Sequence, residues 1–319
     1  MSLVNHQIHY NVSSHKDVLA KIRNFAMARG WTSDHYETGV KWANTGGGYY
    51  DWIAGNEDFL QLWSDAYGSQ NMVFRFRATG SGADPQEEIL HLTGIEPAQR
   101  ALDHTSSYHP VDRHCYTHTY SRKLSLSPGQ MPCLWLFGND QFIFAIIQTT
   151  ASLVQGLFFG TVELFDTSDV LYLSMLSQSP STTLRKWYEA ESYLTAFRMP
   201  LFFWQDTYNI YWCNTGAGAS NTLRYNLRFT HDQAFGYFNK LDQAVAANNF
   251  SGKRTLIKPT VFMQRASDSL WYPVGTLPIY WIVYEGLQIG QTLTYGTEQY
   301  LCFPSIYSSA KYGIAVRVV

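Results

Sequence analysis

Charge is scarce in this chain. Of 319 residues, 15% are Asp, Glu, Lys or Arg, whereas ordinary globular domains carry about 25%. The net charge is −2 and no basic run occurs, so nothing provides an electrostatic footprint for a phosphate backbone, and direct nucleic-acid binding is not expected. Cysteine is scarce too. Cys115, Cys133, Cys213 and Cys302 lie far apart with no Cys-x-x-Cys pair. A disulfide framework needs more cysteines in a shorter chain, which points to a reducing site of synthesis. The opening MSLVNHQIHYNVSS has no basic region followed by an apolar core, so synthesis and first folding in a cytoplasm are expected.

Long uninterrupted apolar runs are also missing. The densest apolar segment, residues 131–160, is cut by Gly138-Asn139-Asp140, and a spanning helix needs about 20 consecutive apolar residues. No membrane segment is expected. Reactive motifs are missing as well. There is no Gly-x-Ser-x-Gly elbow and no His-Glu-x-x-His, and the TGSGAD and TGAGAS stretches lack the spacing and the Lys of a phosphate loop. Carboxylates do lie next to aromatics, at Asp51-Trp52, at Trp204 and Asp206, and at Tyr284-Glu285. A glycosidase needs two of them at a fixed separation, yet any aromatic-rich chain offers such neighbours. The expectation is a protein that is not an enzyme and has no cofactor.

The densest ionisable cluster is His104, His109, His114, Cys115 and His118, with Asp103 and Asp112 near. Imidazole and thiolate are natural zinc or iron ligands, but closed metal sites pair their ligands on a tight turn and repeat the pair at a distance. This spacing does neither. On an extended strand, His114 and His118 share a face with threonines, and the segment reads as a solvated face without a metal.

Aromatic residues are abundant: 22 Tyr, 10 Trp and 19 Phe make up 16% of the chain. Tyr and Trp combine large rigid contact area with a polar handle and are enriched where proteins meet proteins or sugars. The apolar segment 131–160 reads as a β-hairpin, with Leu134–Phe137 and Phe142–Ile147 flanking turn residues that tolerate positive φ. Phe142, Phe144 and Ile146 fall on one face and Ile143, Ala145 and Ile147 on the other. Both faces therefore require cover, one from a core and the other from a further layer or another subunit.

SSHKDVLAKIRNFAMARGWT predicts an amphipathic helix capped by Ser14, with Asp17 three residues on, a face of Val18, Leu19, Ile22, Phe25 and Ala26, and Gly30 as a left-handed stop. Gly46-Gly47-Gly48 predicts a loop between aromatics. FLQLW and VFRFRA predict strands, the second with Arg75 and Arg77 on a solvated face, and EEILHLTGI predicts the next. Residues 106–130 suggest an edge strand and linker. A second helix is predicted over 230–250, from a Thr230 cap, and short strands spaced by Gly, Pro and Asn close the chain. The fold class that follows is mainly β with a few helices (α+β), built as antiparallel sandwich or barrel-like modules. Pro128-Gly129 marks the expected boundary between an N-terminal module, residues 1–128, and a β-rich module, residues 129–319.

The order of these features resembles the virion structural proteins of tailed bacteriophages and related prophages of Gram-negative bacteria. A helix ending in ARGWT, the strands of FLQLWSDAYGSQNMVFRFRATG and the segment 131–160 carry the resemblance, from about Leu19 to Phe165. The chain departs from that pattern at Leu157-Phe158-Phe159-Gly160, where a Tyr-rich loop is expected. The resemblance implies a tail, baseplate or neck component in a ring or multi-subunit assembly. Such a subunit is made in the bacterial host cytoplasm and incorporated into the virion. Its partners would be copies of itself and tail tube, sheath, baseplate or neck proteins. The expected contact anchors are Tyr49, Tyr50 and Trp52, beside the triple glycine, and Trp212, beside Gly216-Ala217-Gly218. An alternative is a carbohydrate- or receptor-binding module of the tail, with Trp42, Tyr49, Tyr50 and Trp52 stacking on sugar.

Overall fold

The computed structural model describes residues 4–64, 66, 73–79, 89–95, 102, 104–105, 107, 122–125, 131–148, 151, 154–165, 172–176, 194–196, 227–229, 254–258, 260–264, 271–304 and 312–319. Among them are one helix and twenty strands in four sheets, and every ladder is antiparallel. The mainly-β expectation is met. The helix predicted over 230–250 lies outside the described residues.

The single described helix, α1 (His15–Met27), forms for local reasons. The Asp17 N–H donates to the Ser14 side chain at 3.1 Å, and Asp17 in turn accepts from the Ser13 N–H, satisfying donors that a helix start leaves open. At its end Gly30 takes φ +90, and the Trp31 N–H returns to the Ala26 carbonyl. Trp31 is thereby folded under the helix into the core.

The central sheet runs β1 (Asn5–Val12), β8 (Met131–Gly138), β9 (Phe142–Gln148), β10 (Val154–Thr161), β12 (Tyr172–Leu176), β13 (Leu194–Ala196). The N-terminal sheet runs β3 (Tyr49–Ala54), β2 (Thr32–Gly46), β4 (Glu57–Trp63), β5 (Val73–Thr79), β6 (Ile89–Ile95), β7 (Arg122–Ser125). Two four-stranded sheets come from later in the chain. One is β17 (Tyr280–Val283), β20 (Tyr312–Arg317), β19 (Glu298–Pro304), β18 (Gln291–Tyr295), and the other is β11 (Glu163–Leu164), β16 (Trp271–Thr276), β15 (Thr260–Gln264), β14 (Leu227–Phe229). Strand β1 pairs with β8 from Asn5↔Gly138 to Val12↔Met131, so the first strand of the chain belongs to a sheet built otherwise from residues beyond the expected 128/129 boundary.

The β8–β9 hairpin is the predicted one, and its two faces have different neighbours. Leu134, Leu136, Ile143, Ala145, Ile147, Leu157 and Phe159 pack with the apolar face of α1 and with Leu60, Leu62, Phe74 and Phe76 of the N-terminal sheet. Cys133, Trp135, Phe137, Phe144, Ile146 and Phe158 pack with Leu277, Ile279, Leu301, Phe303, Ile314 and Val316. Two-sided hydrophobicity here is the mark of a middle layer: both covers come from the same chain, and the second face needs no other subunit. Each fully buried Phe or Ile contributes about 1.5–3 kcal/mol through the area it takes out of water.

The solvated face expected for Arg75 is not found. Arg75 and Gln61 are both buried. The Arg75 Nε donates to Gln61 Oε1 at 2.6 Å, and Gln61 Nε2 donates to Asp34 Oδ1 at 3.0 Å. The alternation does separate the faces, but the polar one is buried because its groups satisfy one another, the condition under which a guanidinium tolerates burial.

Candidate functional site

Strand β2 is longer than the sheet it joins. From Thr32 to Val40 it pairs with β4, and from Val40 to Gly46 it pairs with β3. Past Val40, β2 and β3 form a two-stranded arm off the sheet edge. A register shift between Glu37 and Val40 marks the departure. There the Gly39 N–H donates to Asp58 Oδ1 at 3.0 Å, and the Gly55 N–H donates to the Gly39 carbonyl at 2.8 Å. At the tip, Gly47 and Gly48 have φ +63 and +83, the left-handed pair that a two-residue hairpin turn requires. The expected glycine loop is therefore a tight turn, and the segment around it is paired backbone.

One face of the arm carries stacked aromatics. Trp42 and Trp52 are cross-strand partners with ring centroids 5.1 Å apart, Tyr50 stacks on Trp42 at 6.5 Å, and Trp52 continues onto Phe59 at 4.8 Å. His104 lies 5.7 Å from Trp42, its Nδ1 is 3.5 Å from Asp51 Oδ1, and its carbonyl accepts from the Tyr50 N–H. Of the anticipated anchors, Tyr50 and Trp52 are half-buried on this face and Tyr49 stands exposed at the turn. Trp212 lies outside the described residues, as do His109, His114, Cys115 and His118. Among the described residues no three His, Cys, Asp or Glu side chains come close enough to hold a metal ion. Burial pushes the Cys133 thiol up to about 11 and the Cys302 thiol up to about 12, so neither supplies a thiolate near neutral pH.

A second concavity lies where three sheets meet, and sequence reasoning missed it. Val4, Asn139, Gln141, Phe142, Thr161, Glu163, Lys258, Pro278, Tyr280 and Arg317 line a cleft of about 50 Å³. Its floor is the β8–β9 turn, held because Asn139 Oδ1 accepts from the N–H groups of Gln141 and Phe142 at 2.8 and 3.2 Å. On one wall Glu163 accepts from Lys258, and from the Thr276 hydroxyl at 3.2 Å. On the other, Arg317 is 2.8 Å from Glu298, which also accepts from the Tyr300 hydroxyl at 2.6 Å. The lining comes from widely separated stretches of chain, and no local spacing announces it.

Among the described residues no helix is long and apolar enough to cross a membrane. Compared with models of known protein families and with curated proteins, the chain matches none.

Proposed function

We propose that the chain is a non-enzymatic structural component of a tailed bacteriophage particle, in the tail, baseplate or neck, working through contacts with copies of itself and with neighbouring virion proteins. The observation that carries this reading is the β2–β3 arm. An isolated two-stranded hairpin is marginally stable in water, and this one extends past its sheet while presenting aromatic side chains at half-buried and exposed positions. Such a ribbon gains a cover when a neighbouring subunit docks on it, and its Tyr and Trp side chains provide contact area at little cost in side-chain entropy. Low charge across the chain fits the same use. The resemblance of the segment from about Leu19 to Phe165 supplies the setting.

Electron microscopy of particles labelled for this chain tests the setting: label at the tail, baseplate or neck is expected, and particles without label reject it. Incorporation of a Tyr49→Ala, Tyr50→Ala double variant tests the arm. A folded variant that enters particles poorly is the expected result. A variant that assembles normally into particles that no longer adsorb to cells favours receptor binding instead.

A further inference from the structure

The cleft between the sheets has a chemistry that the assembly reading does not use. Its charges cancel: Lys258 is paired with Glu163, and Arg317 with Glu298. A cleft of this kind offers no surplus charge to an anion or a cation. Hydrogen-bonding capacity nevertheless remains on both sides. Among the described residues the Gln141 side chain has no partner, while Lys258 and Arg317 carry more N–H groups than their contacts employ. Glu163 takes both of its partners on Oε2, which leaves Oε1 as an acceptor. Spare donors and a spare acceptor therefore belong to the lining of one opening. Phe142, Pro278 and Tyr280 belong to the same lining and would give a sugar ring an apolar platform.

A hydroxyl group both donates and accepts, and a pyranose adds an apolar face of C–H groups. The geometry points to a neutral saccharide unit as the ligand of this cleft: its hydroxyls would bridge Gln141, Glu163 and Lys258, and its ring would rest on Tyr280. About 50 Å³ corresponds to a few water-sized spheres at about 10–15 Å³ each, so the cleft takes the edge of one terminal unit and leaves the rest of a glycan outside. This site is separate from the arm, and it stands whether or not the arm makes assembly contacts.

Saturation-transfer NMR on the full chain tests the inference, with methyl hexosides and N-acetylglucosamine as neutral probes and glucuronate and inorganic phosphate as anionic ones. A neutral probe is expected to bind and to resist displacement by either anion. Tyr280→Ala removes the platform, and Gln141→Ala removes a half-exposed side chain with no intrachain hydrogen bond, so its fold is safe. Gln141→Ala should weaken binding about fivefold, the worth of one hydrogen bond, and Tyr280→Ala at least as much. A neutral oligosaccharide binding no tighter than the monosaccharide identifies a single-unit site that serves glycan ends and free sugar alike. Tighter oligosaccharide binding identifies a glycan as the natural source. No binding by any neutral probe, displacement by phosphate or glucuronate, or unchanged binding in Gln141→Ala overturns the inference.

Discussion

In the central sheet, Phe137, Phe144, Phe158 and Phe159 are sealed from water inside one chain, while at the tip of the arm Tyr49 keeps 62% of its surface exposed. Both regions are antiparallel hairpins rich in aromatics. They differ in layers. The β8–β9 hairpin has α1 and the N-terminal sheet on one face and the β17–β20 sheet on the other. Among the described residues the arm is flanked by its own cross-strand contacts, by Phe59 at its root and by His104 beside it. A stretch of apolar sequence therefore tells little about where its cover comes from. Run density alone left open whether a further layer or another subunit covers the second face, and among the described residues both faces are covered from within the chain.

The largest effect is expected from Ile143→Asp. Ile143 has no exposed surface and sits between α1 and the N-terminal sheet, and an unpaired carboxylate there costs more than a domain of ordinary stability holds in reserve. The expected outcome is a chain with no cooperative thermal transition by circular dichroism. A folded variant that merely fails to assemble would return this face to the list of subunit contacts.

Phe159→Ala comes next. Its ring meets Trp31, Phe74 and Phe76 at 5.2, 5.2 and 5.0 Å, so truncation opens a cavity lined by three rings. A loss of about 3–5 kcal/mol is expected from denaturant midpoints. The same assay on Ser14→Ala should show about 1 kcal/mol, the ordinary worth of a helix N-cap.

How much of this was legible beforehand divides along the same line. Helix α1 could be read because Ser14, Asp17 and Gly30 act within a few residues of one another. The β8–β9 faces could be read because period-2 alternation is local. The arm could not, since Gly46-Gly47-Gly48 looks the same as a loop or as a turn until β3 is seen to pair with the far half of β2. Arg75 was misplaced for a related reason: alternation assigns a face, and only the tertiary partners Gln61 and Asp34 decide whether that face is wet. The cleft had no local signal at all, because Gln141, Glu163, Lys258, Tyr280 and Arg317 meet only after three sheets have come together.

A smaller effect is expected from acid. Burial alone would raise the Asp17 carboxyl, but the hydrogen bond from Lys21, at 2.5 Å, and those from Ser13 outweigh it and hold the group below its ordinary value. A carboxylate with a lowered folded pKa contributes stability above its unfolded value, and the contribution is lost as pH falls through the folded one. Asp17→Asn should therefore be less stable than the parent at neutral pH and should converge with it as the solution is acidified below about pH 4. Parallel stability curves across that range would remove Asp17 from the helix start.

The smallest effect on stability is expected on the arm, and it must be small for the comparison to hold. Tyr49 is exposed and touches little, so Tyr49→Ala should stay within about 0.5 kcal/mol of the parent. Trp52→Ala, which loses its contacts with Trp42 and Phe59, should cost more, because Trp52 lies closer to the sheet that anchors the ribbon. Thermal and denaturant melts of the two variants thus trace a gradient from root to tip. A steep gradient means that the tip is held by nothing in its own chain and is free to be held by a neighbour. If Tyr49→Ala costs as much as Trp52→Ala, the tip already has an intrachain cover, and the arm loses its claim as a contact surface.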